Sequence, residues 1–239
     1  MNRRRMISSA LLFPAVLATA GLRVPGARAA ALAQTPGDPA VDLLMAASEK
    51  MLEYDTMRYN LIYEQGSTKL FTGIKMTEVE GVLQRPGRLE ATVKTKVGFV
   101  KIDVTGTVVD GKAWVRAVGI SEDYTLPENL AHIIQDPVLL LTDLVQAVED
   151  PVVSRIETTE EGEQRIWISG TFEPSRVQDP AVEGYTQRMG RQPVEIALDS
   201  DYRIRSIRVA GRFASWDSDD VVRRLDIYGF GDPIEIEKP

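Results

Sequence analysis

The chain has 239 residues, with 35 acidic against 28 basic side chains, a net charge of −7, one histidine and no cysteine. That balance repels phosphate backbones and excludes nucleic acid as a partner. The lack of cysteine excludes disulfides, thiolate metal sites, thiol nucleophiles and an acylated lipoprotein cysteine.

The N-terminus reads as an export signal. Arg3, Arg4 and Arg5 precede a short apolar run, Ser9 to Gly21, and a small-residue segment follows, "GARAAALAQ". Two cleavage frames fit, Ala27-Arg28-Ala29 and Ala31-Leu32-Ala33. The stretch "NRRRMI" suits either a twin-arginine signal, which exports folded protein, or an arginine-rich general secretory one. Removing residues 1–33 takes away five arginines and no acid, moving the net charge from −7 to −12. Residues 34–239 are then expected to form a single domain, exported to the periplasm or cell envelope or secreted, in soluble form and as a monomer.

Asp38 and Pro39 open a helix over Pro39–Tyr54, with Val41, Leu44, Met45, Ser48, Met51 and Leu52 at helical spacing. From Met57 the period falls to two. Met57, Tyr59, Leu61 and Tyr63 alternate with polar residues, and "TGIKMTEVEGVLQRPG" continues as a second strand. Leu89, Ala91 and Val93 form the apolar side of a third strand. Val100, Ile102, Val104 and Gly106 do the same in a fourth, and Ala113 and Val115 follow the Asp110-Gly111 turn in a fifth. A short helix is expected at Pro127–Ile134, bearing Leu130, Ile133 and the only histidine, His132.

Asp136 to Glu149 predicts a second, longer helix. Leu140, Leu141, Leu144, Val145 and Val148 fill most of its circumference, and Thr142, Asp143, Gln146 and Glu149 make a narrow polar arc. Such a helix is either plain core or faces both the sheet and an apolar ligand space. A hairpin follows, "VVSRIETTE" to "QRIWISGTF", carrying Ile166 and Ile168. Pro180–Met189 reads as helix or loop, and three strands close the chain. About ten antiparallel strands with few helices make an α+β fold. A sheet this wide curls or splits into a sandwich, and helices must cover its open side if it curls.

Catalytic signatures are missing. The sequence has no G-x-S-x-G elbow, no calcium loop and no phosphate-cradling glycine loop. "DSDD", Asp217 to Asp220, reads as a solvated acidic turn, and Trp114 and Trp167 as packed on the outer face of the sheet.

"VVDGKAWV" (Val108 to Val115), "GEQRIWISGTFEPSRV" (Gly162 to Val177), "PVEIALDSDYRIRSIRV" (Pro193 to Val209) and "GDPIEIEKP" (Gly231 to Pro239) resemble the mycobacterial LppX/LprAFG lipoprotein family. The likeness runs from about Met57 to Pro239, in the order meander, apolar helix, hairpin, three strands. That family is similar in fold to LolA-type carriers. The resemblance implies a strongly curved antiparallel β half-barrel, closed by a few helices over an apolar cavity. It implies non-enzymatic binding and transport of acylated lipids or glycolipids, with no cofactor and with at most transient membrane or transporter contact. The lipid-facing set it implies is the apolar series named above: Leu89, Ala91, Val93, Val100, Ile102, Val104, Gly106, Ala113 and Val115 on the meander. Leu130, Ile133, Leu140, Leu141, Leu144, Val145 and Val148 on the helices and Ile166 and Ile168 on the hairpin complete it. One departure stands out: "AALAQTPGD" lacks the cysteine that anchors family members. An envelope sensor or scaffold on the same fold, with no bound lipid, is the alternative.

Overall fold

A computed structural model describes residues 37–71, 74–97, 99–117, 120–125, 137–172, 191–212 and 217–239. The expected segments at 1–33, Pro127–Ile134 and Pro180–Met189 lie outside the described residues, and with them Leu130, His132 and Ile133.

Helix α1, Pro39–Met51, starts as its sequence dictates. The Asp38 carboxylate accepts from the Ala40 backbone N–H at 2.9 Å, with Pro39 at the first turn. It stops three residues before the expected Tyr54. Ala40, Leu44, Ala47, Ser48 and Met51 are buried, whereas Met45 and Leu52, expected inside, are exposed. Helix α2 covers Pro137–Gln146, shorter than expected, because Glu149 already belongs to the next strand. Thr142, placed on the polar arc by sequence, is buried.

The strands are β1 (Thr56–Gln65), β2 (Thr68–Phe71), β3 (Ile74–Gln84), β4 (Arg88–Val97), β5 (Val100–Val109), β6 (Lys112–Ala117), β7 (Ile120–Thr125), β8 (Glu149–Thr158), β9 (Gln164–Phe172), β10 (Gln192–Asp199), β11 (Ile204–Ala210) and β12 (Val222–Tyr228). They form one antiparallel sheet in the order β7-β6-β5-β4-β3-β1-β12-β11-β10-β9-β8, with β2 paired to β3 off that path. The α+β expectation holds, with twelve strands among the described residues in place of about ten. The strands make one sheet rather than the split sandwich that the sequence also allowed. Bulges between Tyr63 and Gln65, Met76 and Glu78, and Ala197 and Leu198 add local twist.

β1 joins the two halves of the molecule. It pairs with β3 on one side and β12 on the other. One face of the sheet carries the core, and residues of α1 and α2 belong to the same buried cluster. α1 packs on α2 and on β8. The edge strand β8 departs from the expectation that every strand buries an apolar face: Val152, Val153 and Ile156 are exposed. Trp167 does pack on the outer face, where the Arg155 guanidinium stacks 4.0 Å from its ring and Glu157 accepts its indole N–H at 2.7 Å.

Candidate functional site on the inner face of the sheet

Register builds the inner face row by row, because partners across an antiparallel ladder share a face. One row reads Val104, Val93, Val79, Leu61, Leu225, Ile207, Ile196 and Ile168, from β5 to β9. It is apolar across all eight strands. The residues from Val93 to Ile168 are buried apart from Leu225, which is half-buried, while Val104 at the β5 end is also half-buried.

The adjacent row is made of small residues. Tyr59 pairs with Gly81, Gly81 with Ala91, Ala91 with Gly106 and Gly106 with Val115. Two glycines and an alanine in three neighbouring strands leave a trough. Protein fills one end of it. A Cβ placed on Gly81 would meet Cζ and Oη of Tyr59 at 2.3 Å, so the phenol ring lies across that glycine. At the other end a Cβ on Gly106 meets nothing within 4 Å. The Tyr59 hydroxyl is buried and makes no hydrogen bond. Burial pushes its pKa well above the ordinary tyrosine value, so the group is a neutral hydroxyl at physiological pH.

A polar island interrupts the next row. Arg223 pairs in register with Tyr63 and Val209, so it faces inward, and it is buried against Asp217. The Thr68 hydroxyl donates to Asp217 at 2.6 Å and accepts from Tyr63 at 2.8 Å and from Arg223 at 3.1 Å. Burial alone would lower the guanidinium pKa, but its electrostatic and hydrogen-bond interactions with Tyr63 and Asp217 outweigh it and hold it raised. Asp217 is thus no solvated turn residue, as "DSDD" suggested; it is the buried counter-ion that ties β2 to β12.

The sequence-predicted set divides by exposure. Leu89, Ala91, Val93, Ala113, Leu144, Val145, Val148 and Ile168 are buried and act as core. Ile102, Val104, Gly106, Val115, Leu141 and Ile166 are half-buried. Val100 is 60% exposed at the sheet end, so it does not belong to the interior. The backbone of Leu140 is in α2, and Leu130 and Ile133 are outside the described residues. Gly170, in phase with Ile166 and Ile168 on β9, is occupied: a Cβ there would meet Val148 Cγ1 at 2.4 Å and the Glu149 carbonyl at 2.8 Å. Sequence reasoning placed Tyr59 in an alternating strand and Asp217 in a turn but assigned neither to the site, and it did not single out Arg223; register and the Asp217 ion pair bring them in. Among the described residues no group of three or more His, Cys, Asp or Glu could hold a metal ion, and no helix is long and apolar enough to cross a membrane.

Solved structures share this fold. LprF from Mycobacterium bovis superimposes with a TM-score of 0.60 at 16% identity, covering 83% of this chain and 95% of that one. The chain has the fold of LprF. Lipoprotein LppX from Mycobacterium tuberculosis follows with a TM-score of 0.54 at 12% identity, covering 82% of this chain and 98% of that one. A LolA superfamily protein from Nitrosomonas europaea reaches a TM-score of 0.31, too low to extend the comparison. No protein-family model and no curated protein matches the chain.

Proposed function

We propose that this protein binds acylated lipids or glycolipids on the inner face of its sheet and carries them in the extracytoplasmic envelope, without catalysing a reaction. The observation that carries this reading is the open space over Gly106, beside the half-buried Val104, Ile102 and Val115. In a filled core those positions would be packed. Instead the apolar belt runs from a buried end at β9 to a half-buried end at β5. Each methylene of an acyl chain laid there is worth about 0.8 kcal/mol of transfer free energy. The shared fold with the lipoprotein LppX supports the same reading.

Residues 1–33 are proposed to be a cleaved export signal, which leaves no cysteine for a lipid anchor. N-terminal sequencing of exported protein should find a start between Ala30 and Thr35. Native mass spectrometry and solvent extraction of protein purified from its own host test the function. Co-purifying acyl lipids are expected. Lipid-free protein from a lipid-replete host would instead assign the fold to a sensor or scaffold.

A further inference from the structure

Two hairpins at one end of the sheet contradict the acidity of the whole chain. Residues 65–77 and 91–102 contain five lysines and no acidic residue. Register aligns four of them. Lys69 pairs with Lys75, Lys75 with Lys96 and Lys96 with Lys101, on four neighbouring strands. Lys75, Lys96 and Lys101 are exposed. Strands lie about 4.8 Å apart, and like charges directly opposite each other destabilise a sheet. The next row of the same face shows the ordinary solution: Glu78, Lys94 and Asp103 are aligned there, with Lys94 Nζ 3.2 Å from Glu78 and 2.6 Å from Glu80. The lysine row thus spends stability that its neighbour does not.

Beside this row, the β4–β5 turn presents Phe99 fully exposed and Val100 60% exposed. An unpartnered aromatic flanked by lysines fits a surface with an apolar interior and an anionic face. From the other side of Val100 the half-buried series Ile102 and Val104 leads to Gly106. At the opposite end of the sheet, on the β10–β11 turn, Asp199 and Asp201 are paired with Arg203. The acidic turn of the lysine end, Asp219 and Asp220, lies on the β12 side, with Asp219 paired to Arg212.

We propose that this end of the sheet docks on an anionic lipid membrane, with Lys75, Lys96 and Lys101 on the headgroups and Phe99 inserted between them. The proposal stands apart from the lipid-carrier reading, since a docking surface is read by vesicle binding and the carrier by co-purified lipid. The cysteine-free chain permits a direct test. A full-chain Phe99→Cys variant is labelled with an environment-sensitive fluorophore, alongside Asp201→Cys at the far end. Both are titrated with vesicles of phosphatidylcholine alone and of phosphatidylcholine with phosphatidylglycerol. The probe at 99 should shift to the blue only with anionic vesicles, and 0.5 M salt should suppress the shift. The probe at 201 should not respond. Adding K75Q, K96Q and K101Q should weaken the response at 99 by about fivefold per lysine. These exposed changes relieve repulsion, and a melting curve confirms the fold. An equal response at both probes, indifference to phosphatidylglycerol or an unchanged triple variant would overturn the proposal. A concentration-dependent shift without vesicles would assign the surface to a second copy of the chain and overturn it equally.

Discussion

Replacing Gly106 by Trp probes the open end of the trough most directly. Nothing lies within 4 Å of a Cβ at Gly106, and its backbone is not in the left-handed region. Gly106→Ala is therefore unstrained and should stabilise by about 0.4–1 kcal/mol, by restricting the unfolded chain. For a domain of this size that is at most about 2–4 °C in Tm. Gly81→Ala is the contrasting control. Its Cβ would lie 2.3 Å from Tyr59 Cζ and 2.7 Å from the Glu90 carbonyl oxygen, so ring and neighbouring strand must both move. Overpacking of that kind costs about 1–3 kcal/mol, or about 2–12 °C. Gly106→Trp should melt close to the parent, because the indole enters unfilled volume, while lipid recovered by solvent extraction falls sharply. Thermal melting of delipidated protein and lipid content are measured on the same preparations. If Gly106→Trp melts as low as Gly81→Ala and its folded fraction still retains lipid, the space is not the lipid site.

Tyr59→Phe removes a buried hydroxyl without a partner and should raise the stability of lipid-free protein by about 1 kcal/mol; a loss would reveal a bond to that oxygen. The folded state holds the Tyr59 proton above the ordinary value of 10.0, where the unfolded chain releases it. Stability should thus fall as pH rises above that value, and Tyr59→Phe should remove up to about 1.4 kcal/mol per pH unit of the slope in denaturant titrations. Asp217→Ala leaves the buried Arg223 without its counter-ion and should cost about 3–5 kcal/mol by urea unfolding; a change under 1 kcal/mol would mean the pair is solvated. His132→Ala should leave lipid retention unchanged, since carrying a lipid needs no titrating imidazole; loss of lipid from a folded variant would refute that.

Alternation made much of the sheet legible. Met57, Tyr59 and Leu61, and Leu89, Ala91 and Val93, are buried as their spacing predicts. Strands without alternation escaped: β7 reads "ISEDYT", with three consecutive exposed polar residues on a sheet edge, and β2 is only four residues long. The candidate site was half legible. Gly106 and Gly170 look alike in sequence, yet one faces open space and the other receives Val148. Only the packing of Val148 and the start of β8 against β9 separates them. Arg223 sits in "VVRRLDIY", in phase with Leu225 and Ile227, so alternation points it inward and Arg224 outward toward Glu64, but a lone arginine on an apolar face does not show what neutralises it. A buried charge is recognisable once its counter-ion is placed, and Asp217 is set by a long-range bridge to Thr68.

The position of β1 between β3 and β12 sets an order of events during synthesis. The early strands β3 to β7 can pair with one another as they emerge, since each meets its neighbour within a short hairpin. β1 gains its second partner only when residues 222–228 are available, and the segment beyond them then laces the end of the sheet. The Thr56 hydroxyl donates to the Asp232 carbonyl, Ile236 N–H to Gln84, and Arg88 to the Ile236 carbonyl. Such distant contacts slow folding, because loop closure must precede any gain. A nascent chain stalled before Val222 would hold the row from Val104 to Leu61 and the row from Ile207 to Ile168 as two separate apolar surfaces, each with a raw edge. Completion of the sheet therefore waits for the synthesis of residues 222–228, and until then the half-molecules are natural clients for a holding chaperone.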